Sequence, residues 1–482
     1  MKRKNILFVL LILFVVSGRA QTTISVETQL DFQKLGMLLQ RVLRTGVKDI
    51  TVQFVEDTFY FDEQNISLQQ LYYPEVTLHF IGQHTVVTSA DQDGAFGQPG
   101  YISGGNNVED WTLLTPTDQL IEVLDTNAKL CRLHLPLDFQ DVGQSYSQLR
   151  VTQWYYSTIY KVDKIADGYV YFHAPNLAVV NKKNQCNVNY DFVYGGQLPR
   201  FQLQYVPSGN VRRCAFTTLF DFGDCRFAAV EIQDMDFRGN ADGDLALLNF
   251  RHLMVDSVKV HDCRFEGVRS RLLLCEATPN FAFYNNIVSN CYRDCVVSDN
   301  DSPSTHVFDN HFSECGKALR NSFCVICRGA DYLVRHNEFR NFGYGAVGVG
   351  VWYKTFKANP CNGVVSENEA YYDSAYFADY RRYTLMDGGA IYTWTQNDNS
   401  VIINNNVHHY IGMADNRGIY LDDGACNVMV WGNVVNNIPN SYCIDSRSVH
   451  GIEKESGSYV KKANVGNIIA QNSVDGKIRW EK

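Results

Sequence analysis

The chain has 482 residues, of which 45% are apolar and 13% aromatic, so it can bury a large hydrophobic core. Its formal net charge is −9 and no cationic stripe is visible, which argues against a nucleic acid partner. Only 11 prolines and no low-complexity tract are present, so the composition does not predict domains joined by disordered linkers.

Residues 1–20 predict a secretory signal peptide. The sequence MKRKNILFVLLILFVVSGRA has a basic start, an apolar run from Ile6 to Val16, and small residues at Gly18 and Ala20. A membrane anchor is disfavoured, because the 11 apolar residues of this run are too few to span a bilayer. We expect cleavage after Ala20, a secreted or periplasmic protein, and no integral membrane segment after cleavage.

Residues 21–110 are predicted to form an N-terminal cap and the first coils of a β structure. A Leu-rich helical pattern covers Phe32 to Val42, and strand patterns follow at Asp49 to Val55, Val76 to Ile81 and Thr85 to Thr88. A helix at this end would cover the first strand edge and limit aggregation.

Residues 111–205 predict an inserted β-rich lobe. Two aromatic-rich stretches, YSQLRVTQWYYSTIYKVDKI and DGYVYFHAP, have the pattern of hairpin strands joined by polar turns. The lobe would serve either as a ligand-binding wall or as a structural brace.

The main repeats occupy residues 206–482, where one phrase recurs nine times: a polar residue, often Asn, two positions before an apolar one. The apolar positions are Phe237, Phe265, Val288, Phe312, Phe339, Ala370, Val407, Val434 and Val474. Successive positions are separated by 23 to 40 residues, and self-similarity at such a period indicates a solenoid.

The stretches between these phrases predict strands. They are short runs with period-two alternation, closed by Gly, Asn, Asp and Ser, and none has an amphipathic helical pattern. We therefore predict an all-β fold, a parallel β-helix with about three short strands per coil and coils about 4.8 Å apart. The recurrent Asn is expected at a tight corner, where amides of successive coils can bond each other.

The 14 cysteines are compatible with disulfides in an oxidising compartment, but their placement favours another role. Cys291 and Cys315 each follow the repeat's apolar position by three residues, so they should stack on adjacent coils. Parallel side chains on neighbouring coils suit the disulfide dihedral poorly, and buried small hydrophobes are favoured instead. Cys324 and Cys327 have the spacing of zinc ligands but lack a second pair or a His partner, so no zinc site is expected.

One region carries a resemblance to known proteins. The strings GGAIYTW, NNNVHHYIG and RGIYLDDGACNVMVWGNVV, between Asp387 and Val435, resemble secreted right-handed parallel β-helix proteins of the pectate-lyase-like superfamily, in particular the β-helical glycoside hydrolases of polysaccharide-utilisation systems. The resemblance implies a right-handed helix with an N-terminal cap and an inserted lobe, and a polysaccharide or oligosaccharide partner. That superfamily also includes lyases, epimerases, phage tailspikes and adhesins, so the fold alone does not specify a reaction.

The repeat register predicts a column of outward side chains. Pleating sends Ile419 and Leu421 to one face of their strand and Tyr420 and Asp422 to the other, and the apolar pair should be inside. With Ile444 placed beside Leu421, the outward column contains Trp394, Asp422 and Asp445, with Tyr392, Tyr420 and Cys443 alongside.

This column predicts a sugar site. Carboxylates on adjacent coils would start from backbones about 4.8 Å apart, close to the roughly 5–5.5 Å used by retaining glycosidases. Their repulsion would raise one pKa and supply an acid beside an ionised partner. Asp422 and Asp445 are the predicted catalytic pair, and Asp423 competes for either role. The predicted substrate-binding residues are Trp394, Tyr392, Tyr420, Arg417, Arg447 and His409, and no cofactor is expected.

Several alternatives stay open. The Asp-Asp-Gly segment is also typical of a solvated turn, and the adjacent His408 and His409 are more often one solvated and one packed residue. A calcium site is the alternative cofactor assignment, with Asp387, Asp415, Asp422 and Asp423 as ligands.

Two other functions compete with hydrolysis. A metal-dependent polysaccharide lyase would use Arg417 or Arg447 as its base or as a ligand for substrate carboxylates. A non-catalytic glycan-binding or adhesion solenoid is the third hypothesis. The same register also places polar and aromatic residues farther along the stack, at His252, Glu276, Asp299, Arg328 and Trp352, as an extended groove or a solvated face.

Overall fold

The structure is a computed structural model. It describes residues 12–16, 19–61, 65–88, 111–114, 121–125, 127–135, 145–153, 156–174, 177–179, 186–188, 200–206, 217–240, 245–299, 302–316, 322–350, 361–378, 388–394, 397–410, 416–422, 425–438, 442–446, 450–452, 459–461, 466–475 and 477–480.

The N-terminal part contains a short antiparallel pair, one helix and the first parallel strands. The elements are β1 (Ile12–Val16), β2 (Arg19–Val26), α1 (Gln29–Leu43), β3 (Asp49–Phe54), β4 (Thr58–Tyr60), β5 (Ile66–Ser67) and β6 (Tyr72–Thr88). The next strands are β7 (Trp111–Leu114), β8 (Ile121–Asp125), β9 (Leu130–His134), β10 (Ser145–Gln153), β11 (Tyr156–Ala166), β12 (Tyr169–His173), β13 (Leu177–Val179), β14 (Cys186–Val188) and β15 (Arg200–Val206).

The main repeats contain short strands and one further helix. The first are β16 (Phe220–Asp221), β17 (Arg226–Arg238), β18 (Ala246–Arg251), β19 (Ser257–His261), β20 (Arg264–Glu266), β21 (Arg271–Glu276), β22 (Phe281–Tyr284), β23 (Ile287–Ser289), β24 (Val296–Ser298), β25 (Thr305–Phe308), β26 (His311–Ser313), β27 (Phe323–Cys327), β28 (Leu333–Arg335), β29 (Glu338–Arg340) and β30 (Gly345–Val349). The others are β31 (Val364–Ser366), β32 (Glu369–Tyr371), α2 (Ser374–Ala378), β33 (Gly389–Thr393), β34 (Val401–Ile403), β35 (Asn406–His408), β36 (Arg417–Leu421), β37 (Met429–Trp431), β38 (Val434–Asn436), β39 (Tyr442–Ser446), β40 (His450–Ile452), β41 (Tyr459–Lys461), β42 (Ile468–Ala470), β43 (Ser473–Val474) and β44 (Lys477–Trp480).

These strands form a right-handed parallel β-helix with three faces, which confirms the predicted fold class. Face one runs from β2 and β3 through the first halves of β6 and β17 to β42, and face two runs from β4 through their second halves to β43. Face three is a separate sheet in the order β5, β16, β18, β21, β24, β27, β30, β33, β36, β39, β44. Each coil therefore contributes one strand to each face.

The repeated phrase is the corner between faces one and two. Its Asn side chains form a ladder in which each Nδ2 donates to the Oδ1 of the next coil's Asn at 2.9–3.1 Å. The ladder contains Asn286, Asn310, Asn337, Asn368, Asn405, Asn433 and Asn472. The residue before each Asn has a positive φ, as at Asn285 and Asn404, so the chain turns sharply there. The predicted role of this Asn as a tight corner with amide-to-amide bonds is confirmed.

The apolar residue two positions later points into the helix. Phe237 stacks on Phe265 at 5.0 Å, and Phe312 stacks on Phe339 at 5.0 Å. One predicted position is wrong by a residue: Val407 pairs with Val435, not with Val434. The sequence has two successive valines at this corner, and either fits the pattern. Their burial shows which one is the inward residue, since Val435 is fully buried whereas Val434 is 37% exposed.

The N-terminal segment contains the predicted helix. α1 begins after Thr28, whose side chain accepts a hydrogen bond from the Asp31 backbone N–H at 3.2 Å, and it buries Phe32, Leu35 and Leu39. Of the predicted signal peptide, the described part includes β1, which pairs antiparallel with β2. Within the described ranges, no helix is long and apolar enough to cross a membrane.

The strands between residues 111 and 206 form their own antiparallel sheet. Seven of them pair in the order β7, β15, β10, β11, β12, β9, β8, and they have a separate core that includes Leu133, Leu149, Phe172 and Leu203. This segment lies in the chain between β6, at the end of face two, and β16, on face three. It therefore enters and leaves the β-helix at one corner of a single coil.

Candidate active site on face three

The strands of face three have an uneven pleat that determines which side chains point outward. In β36, Ile419 and Leu421 belong to the interior core, whereas Tyr420 belongs to a second cluster outside the sheet. A Cβ added to Gly418 would meet the core residue Val435 at 2.3 Å, so two successive positions of this strand face inward. The prediction that Ile419 and Leu421 point in and Tyr420 points out is confirmed.

The second cluster is apolar and buried although it lies on the outside of the solenoid. We call it the outer cluster, and it contains Ala246, Leu274, Val297, Phe323, Ile326, Tyr344, Tyr392, Trp394 and Tyr420. None of these side chains is more than 7% exposed. Ligand pockets are lined predominantly by apolar and aromatic side chains, so this cluster is a candidate wall for a ligand site.

Trp394 and Asp422 lie side by side on adjacent coils, as the repeat register predicts. Thr393 pairs with Leu421, and the Asp422 backbone N–H donates to the Thr393 carbonyl at 3.0 Å. With the corner corrected to Val435, Trp394 and Asp422 each precede their corner residue by 13 positions.

Asp422 is held by a tyrosine. The Tyr392 hydroxyl donates a hydrogen bond to Asp422 Oδ2, and the Tyr392 ring contacts those of Trp394 and Tyr420 at 5.2 and 4.9 Å between centroids. The Asp422 side chain is 6% exposed. Four of the predicted site residues are therefore brought together, with the carboxylate at the edge of an aromatic group.

The predicted register of Asp445 is wrong. Ile444 pairs with Ile419 rather than with Leu421, so Asp445 lies beside Tyr420 and not beside Asp422. Because each strand residue advances about 3.3 Å and each coil about 4.8 Å, the Asp445 and Asp422 backbones are separated by roughly 8 Å instead of 4.8 Å.

The uneven pleat is the physical reason for this error. Ile419 and Leu421 are both inward and apolar, so simple alternation accepts Ile444 opposite either of them. The register is decided by Gly418, the other inward position of β36. Cys443 lies beside Gly418 and packs in the interior core. The prediction that Cys443 points outward is therefore also wrong.

Asp445 forms a buried ion pair with Arg417. The Arg417 Nε donates to Asp445 Oδ2 at 2.9 Å, and neither side chain is exposed. The guanidinium carbon also lies 4.1 Å from the centroid of the Tyr420 ring. Because an ion pair this deep is costly to break, it fixes both the carboxylate and the tyrosine above it.

A group of charged side chains lies on the other side of Trp394 from Asp422. Arg328 lies 5.4 Å from the Trp394 ring centre, and its NH1 is 3.6 Å from Asp299 Oδ1. On the two preceding coils, Arg251 donates to Glu276 at 2.5 Å. Together these residues form a line at the ends of the face-three strands, which we call the outer strip: Arg251, Glu276, Asp299, Arg328, Trp394 and Asp422. Glu276, Asp299 and Arg328 lie where the sequence register puts them.

A glycine that sequence reasoning missed makes room for Trp394. A Cβ added to Gly348 would lie 2.8 Å from the indole, and Gly348 pairs with Tyr392 on the next coil. The signal is visible in the sequence as GYGAVGVG, a glycine-rich run where neighbouring coils have bulky residues. The indole therefore occupies space that a side chain would otherwise fill.

Other predicted residues are not brought to the outer strip. His409 follows β35 on face two, where its ring bonds His408 at 2.8 Å and Asn437 at 3.2 Å. His252 pairs with Asp224 at 3.1 Å, one residue beyond Arg251. Asp423, Arg447, Asp387, Asp415 and Trp352 lie outside the described residues. Asp422 is consequently the one predicted calcium ligand within the described part of the chain.

Another carboxylate of face three has an altered acidity. Burial raises the pKa of Asp294, and a hydrogen bond from the Phe323 backbone N–H at 2.8 Å partly offsets this effect. Asp294 lies at the opposite end of the strands from Asp299, so it supports Phe323 of the outer cluster rather than the outer strip.

Comparisons with known proteins agree with the architecture. A family described as "Right handed beta helix region" matches residues 208–339. A solved structure titled "Glycoside hydrolase" superposes with a TM-score of 0.55 at 12% identity and covers 94% of this chain and 96% of that chain. The tailspike protein gp49 from Pseudomonas phage LKA1 superposes with a TM-score of only 0.22 at 8% identity, covering 91% of this chain and 75% of its own. No curated protein matches significantly. The chain is a right-handed parallel β-helix that shares its fold with this glycoside hydrolase.

Proposed function

We propose that this right-handed parallel β-helix is a secreted or periplasmic carbohydrate-active enzyme, a glycoside hydrolase that cleaves a complex polysaccharide or oligosaccharide with a pair of carboxylates. The observation that carries the proposal is the outer strip, in which Trp394 lies between the Arg328–Asp299 pair and Asp422. Aromatic faces bind the apolar side of a pyranose ring, and flanking charged groups bind its hydroxyls. A row of both at the strand ends suits an extended glycan.

Asp422 is the first of the two proposed catalytic carboxylates. Its Oδ2 is oriented by the Tyr392 hydroxyl, and it borders the Trp394 indole. Asp299 is too distant to be its partner, because four coils at about 4.8 Å each separate them by roughly 19 Å.

Asp445 is the proposed partner, with Asp423 as the alternative. A backbone separation of about 8 Å suits the roughly 6.5–9.5 Å between carboxylates of inverting glycosidases better than the 5–5.5 Å of retaining ones. An inverting base acts on a water molecule rather than on the sugar itself. The proposed outcome is hydrolysis with inversion, with Asp422 as acid and Asp445 as base.

The test uses Asp422→Asn and Asp445→Asn separately on a panel of glycans. Each variant should lose on the order of 100-fold or more in kcat, the usual effect of removing a general acid or base. Asp309→Asn is the matched control, because Asp309 is a corner carboxylate paired with His336 on another part of the surface. NMR of the first product anomer reads the stereochemistry directly.

The outcomes separate the competing functions. Full hydrolysis by both Asn variants excludes the carboxylate pair, and retention of configuration excludes the inverting assignment. Unsaturated products whose formation stops with a chelator would select a metal-dependent lyase. Glycan binding that survives both substitutions, without turnover of any substrate, would select a binding or adhesion protein.

A further inference from the structure

Four cysteines meet inside the β-helix on two adjacent coils. Cys291 lies beside Cys315, since Gly316 N–H donates to the Cys291 carbonyl, and Cys295 lies beside Cys324, since Val296 pairs with Val325. The first pair stands at the corner between faces two and three, and the second pair begins the face-three strands. We call these four residues the cysteine quartet.

The sulfur atoms of the cysteine quartet are close together. Those of Cys291, Cys295 and Cys315 all lie within 4.8 Å of one another, and Cys324 lies beside Cys295 on the next coil. All four side chains are at most 1% exposed. The group is thus three clustered sulfur atoms with a fourth cysteine beside them, all in a buried interior.

The neighbouring coils show that this grouping is local. One coil before, the equivalent positions hold Val268 and Leu272, and one coil after they hold Phe342 and Ala346. All four of these are ordinary buried hydrophobes. Cysteine therefore occupies both columns on two consecutive coils only, where its four sulfur atoms can meet.

We propose that the cysteine quartet is a structural site for a thiophilic d10 metal ion, with Zn²⁺ as the probe. Tetrahedral zinc with Zn–S bonds near 2.3 Å needs sulfur atoms about 3.8 Å apart. The sulfur atoms of Cys291, Cys295 and Cys315 already approach this spacing, and Cys324 would supply the fourth ligand from beside Cys295. Three residues separate Cys291 from Cys295, which is within the usual spacing of paired zinc ligands. Soft thiolate ligands select such ions over Ca²⁺ and Mg²⁺.

Disulfides are the competing chemistry, and the geometry disfavours them. The stacked pairs, Cys291 with Cys315 and Cys295 with Cys324, have parallel Cα–Cβ directions on neighbouring coils, which suit the dihedral of about 90° poorly. A central ion satisfies all four sulfur atoms without rotating the backbone. Its position also matters for the site, because Cys324 directly follows Phe323, whose ring lies 5.3 Å from that of Trp394.

The test measures metal in the full chain, exported and purified without chelators. Elemental analysis should find about one zinc ion per chain in the wild type and less than a tenth of that in Cys295→Ser and Cys324→Ser. Cys275→Ser and Cys327→Ser are the matched controls: both cysteines are fully buried and neither belongs to the quartet, so zinc content should be unchanged. Replacing zinc with Co²⁺ should give the strong visible absorption of tetrahedral sulfur-bound cobalt.

The wild-type measurement decides the question even where a variant fails to fold. An ion-free chain in which peptide mapping finds the quartet joined by disulfides overturns the proposal. The proposal is also overturned if the chain holds no ion after it is refolded with excess Zn²⁺. In that case all four thiols would be free and would react with an alkylating agent once the chain is unfolded.

Discussion

The Asn ladder allows a sharp test, because Asn405 and Asn406 are adjacent but have opposite environments. Asn405 is 1% exposed, and its Nδ2 donates to Asn433 Oδ1 and the Val365 carbonyl at 2.9 Å each. Its Oδ1 accepts from the backbone N–H and the side-chain amide of Asn368 at 3.0 and 2.9 Å. Asn406 makes one exposed hydrogen bond, to a glutamate.

Asn405→Ala removes these bonds and leaves the buried Asn368 N–H without its acceptor. Each buried polar group deprived of its partner costs about 1–3 kcal/mol, and other bonds to Asn368 and Asn433 survive, so we expect a loss of about 3–5 kcal/mol in the free energy of unfolding. Asn406→Ala should cost within about 0.5 kcal/mol, as surface substitutions usually do.

Guanidinium titrations followed by far-UV circular dichroism measure both variants against the wild type. A lower midpoint for Asn405→Ala alone supports the ladder as a main stabiliser of the coils. Equal midpoints for the two variants would contradict this expectation, since they would show that the buried amides contribute no more than a surface hydrogen bond.

Two further predictions concern the site and the acid stability. Gly348→Ala places a Cβ 2.8 Å from the Trp394 indole, so we expect a changed tryptophan emission and at least a 10-fold loss of glycan turnover. Gly36→Ala, whose nearest contact is 3.7 Å away, is the control, and unchanged emission and turnover in Gly348→Ala would contradict the packing. Burial opposes ionisation of Glu231, but hydrogen bonds from His261 and His79 outweigh it and hold its pKa below the usual 4.5. The stabilisation that comes from this lowered pKa is present above pH 4.5 and is lost as the pH falls below it. The melting temperature of Glu231→Gln should therefore fall less than that of the wild type between about pH 5 and 3. Glu266→Gln is the control, since that side chain is 42% exposed, and parallel curves for wild type and Glu231→Gln would rule the contribution out.

The candidate site shows where local pattern is enough and where it fails. Trp394 and Asp422 are correctly paired from the sequence, because both strands end in the same run of inward and outward residues before an identical corner. Asp445 is misplaced by two residues, because its strand offers two apolar positions that fit the same alternation. Only the hydrogen-bonded register between β36 and β39 distinguishes them.

The cysteine quartet could not be recognised as a group from spacing. Cys295 and Cys315 are separated by a whole coil, and a search for paired ligands in one stretch of chain finds Cys324 with Cys327 instead. Within β27 these two lie three residues apart, and the pairing of Val296 with Val325 places Cys324, not Cys327, beside Cys295. Stacking of coils, which no local pattern encodes, selects Cys324.

By itself, the sequence determined the architecture. Each corner needs the same αL turn, and from Asn286 to Asn472 each corner also has a buried amide, so the phrase repeats once per coil and can be read as a period. Tertiary structure decided which side chains of different coils meet: Arg417 with Asp445, Tyr392 with Asp422, and Cys295 with Cys315. The physical reason is that a strand's own pattern specifies in or out, whereas its shift along the neighbouring strand depends on the packing of every inward residue in the coil below.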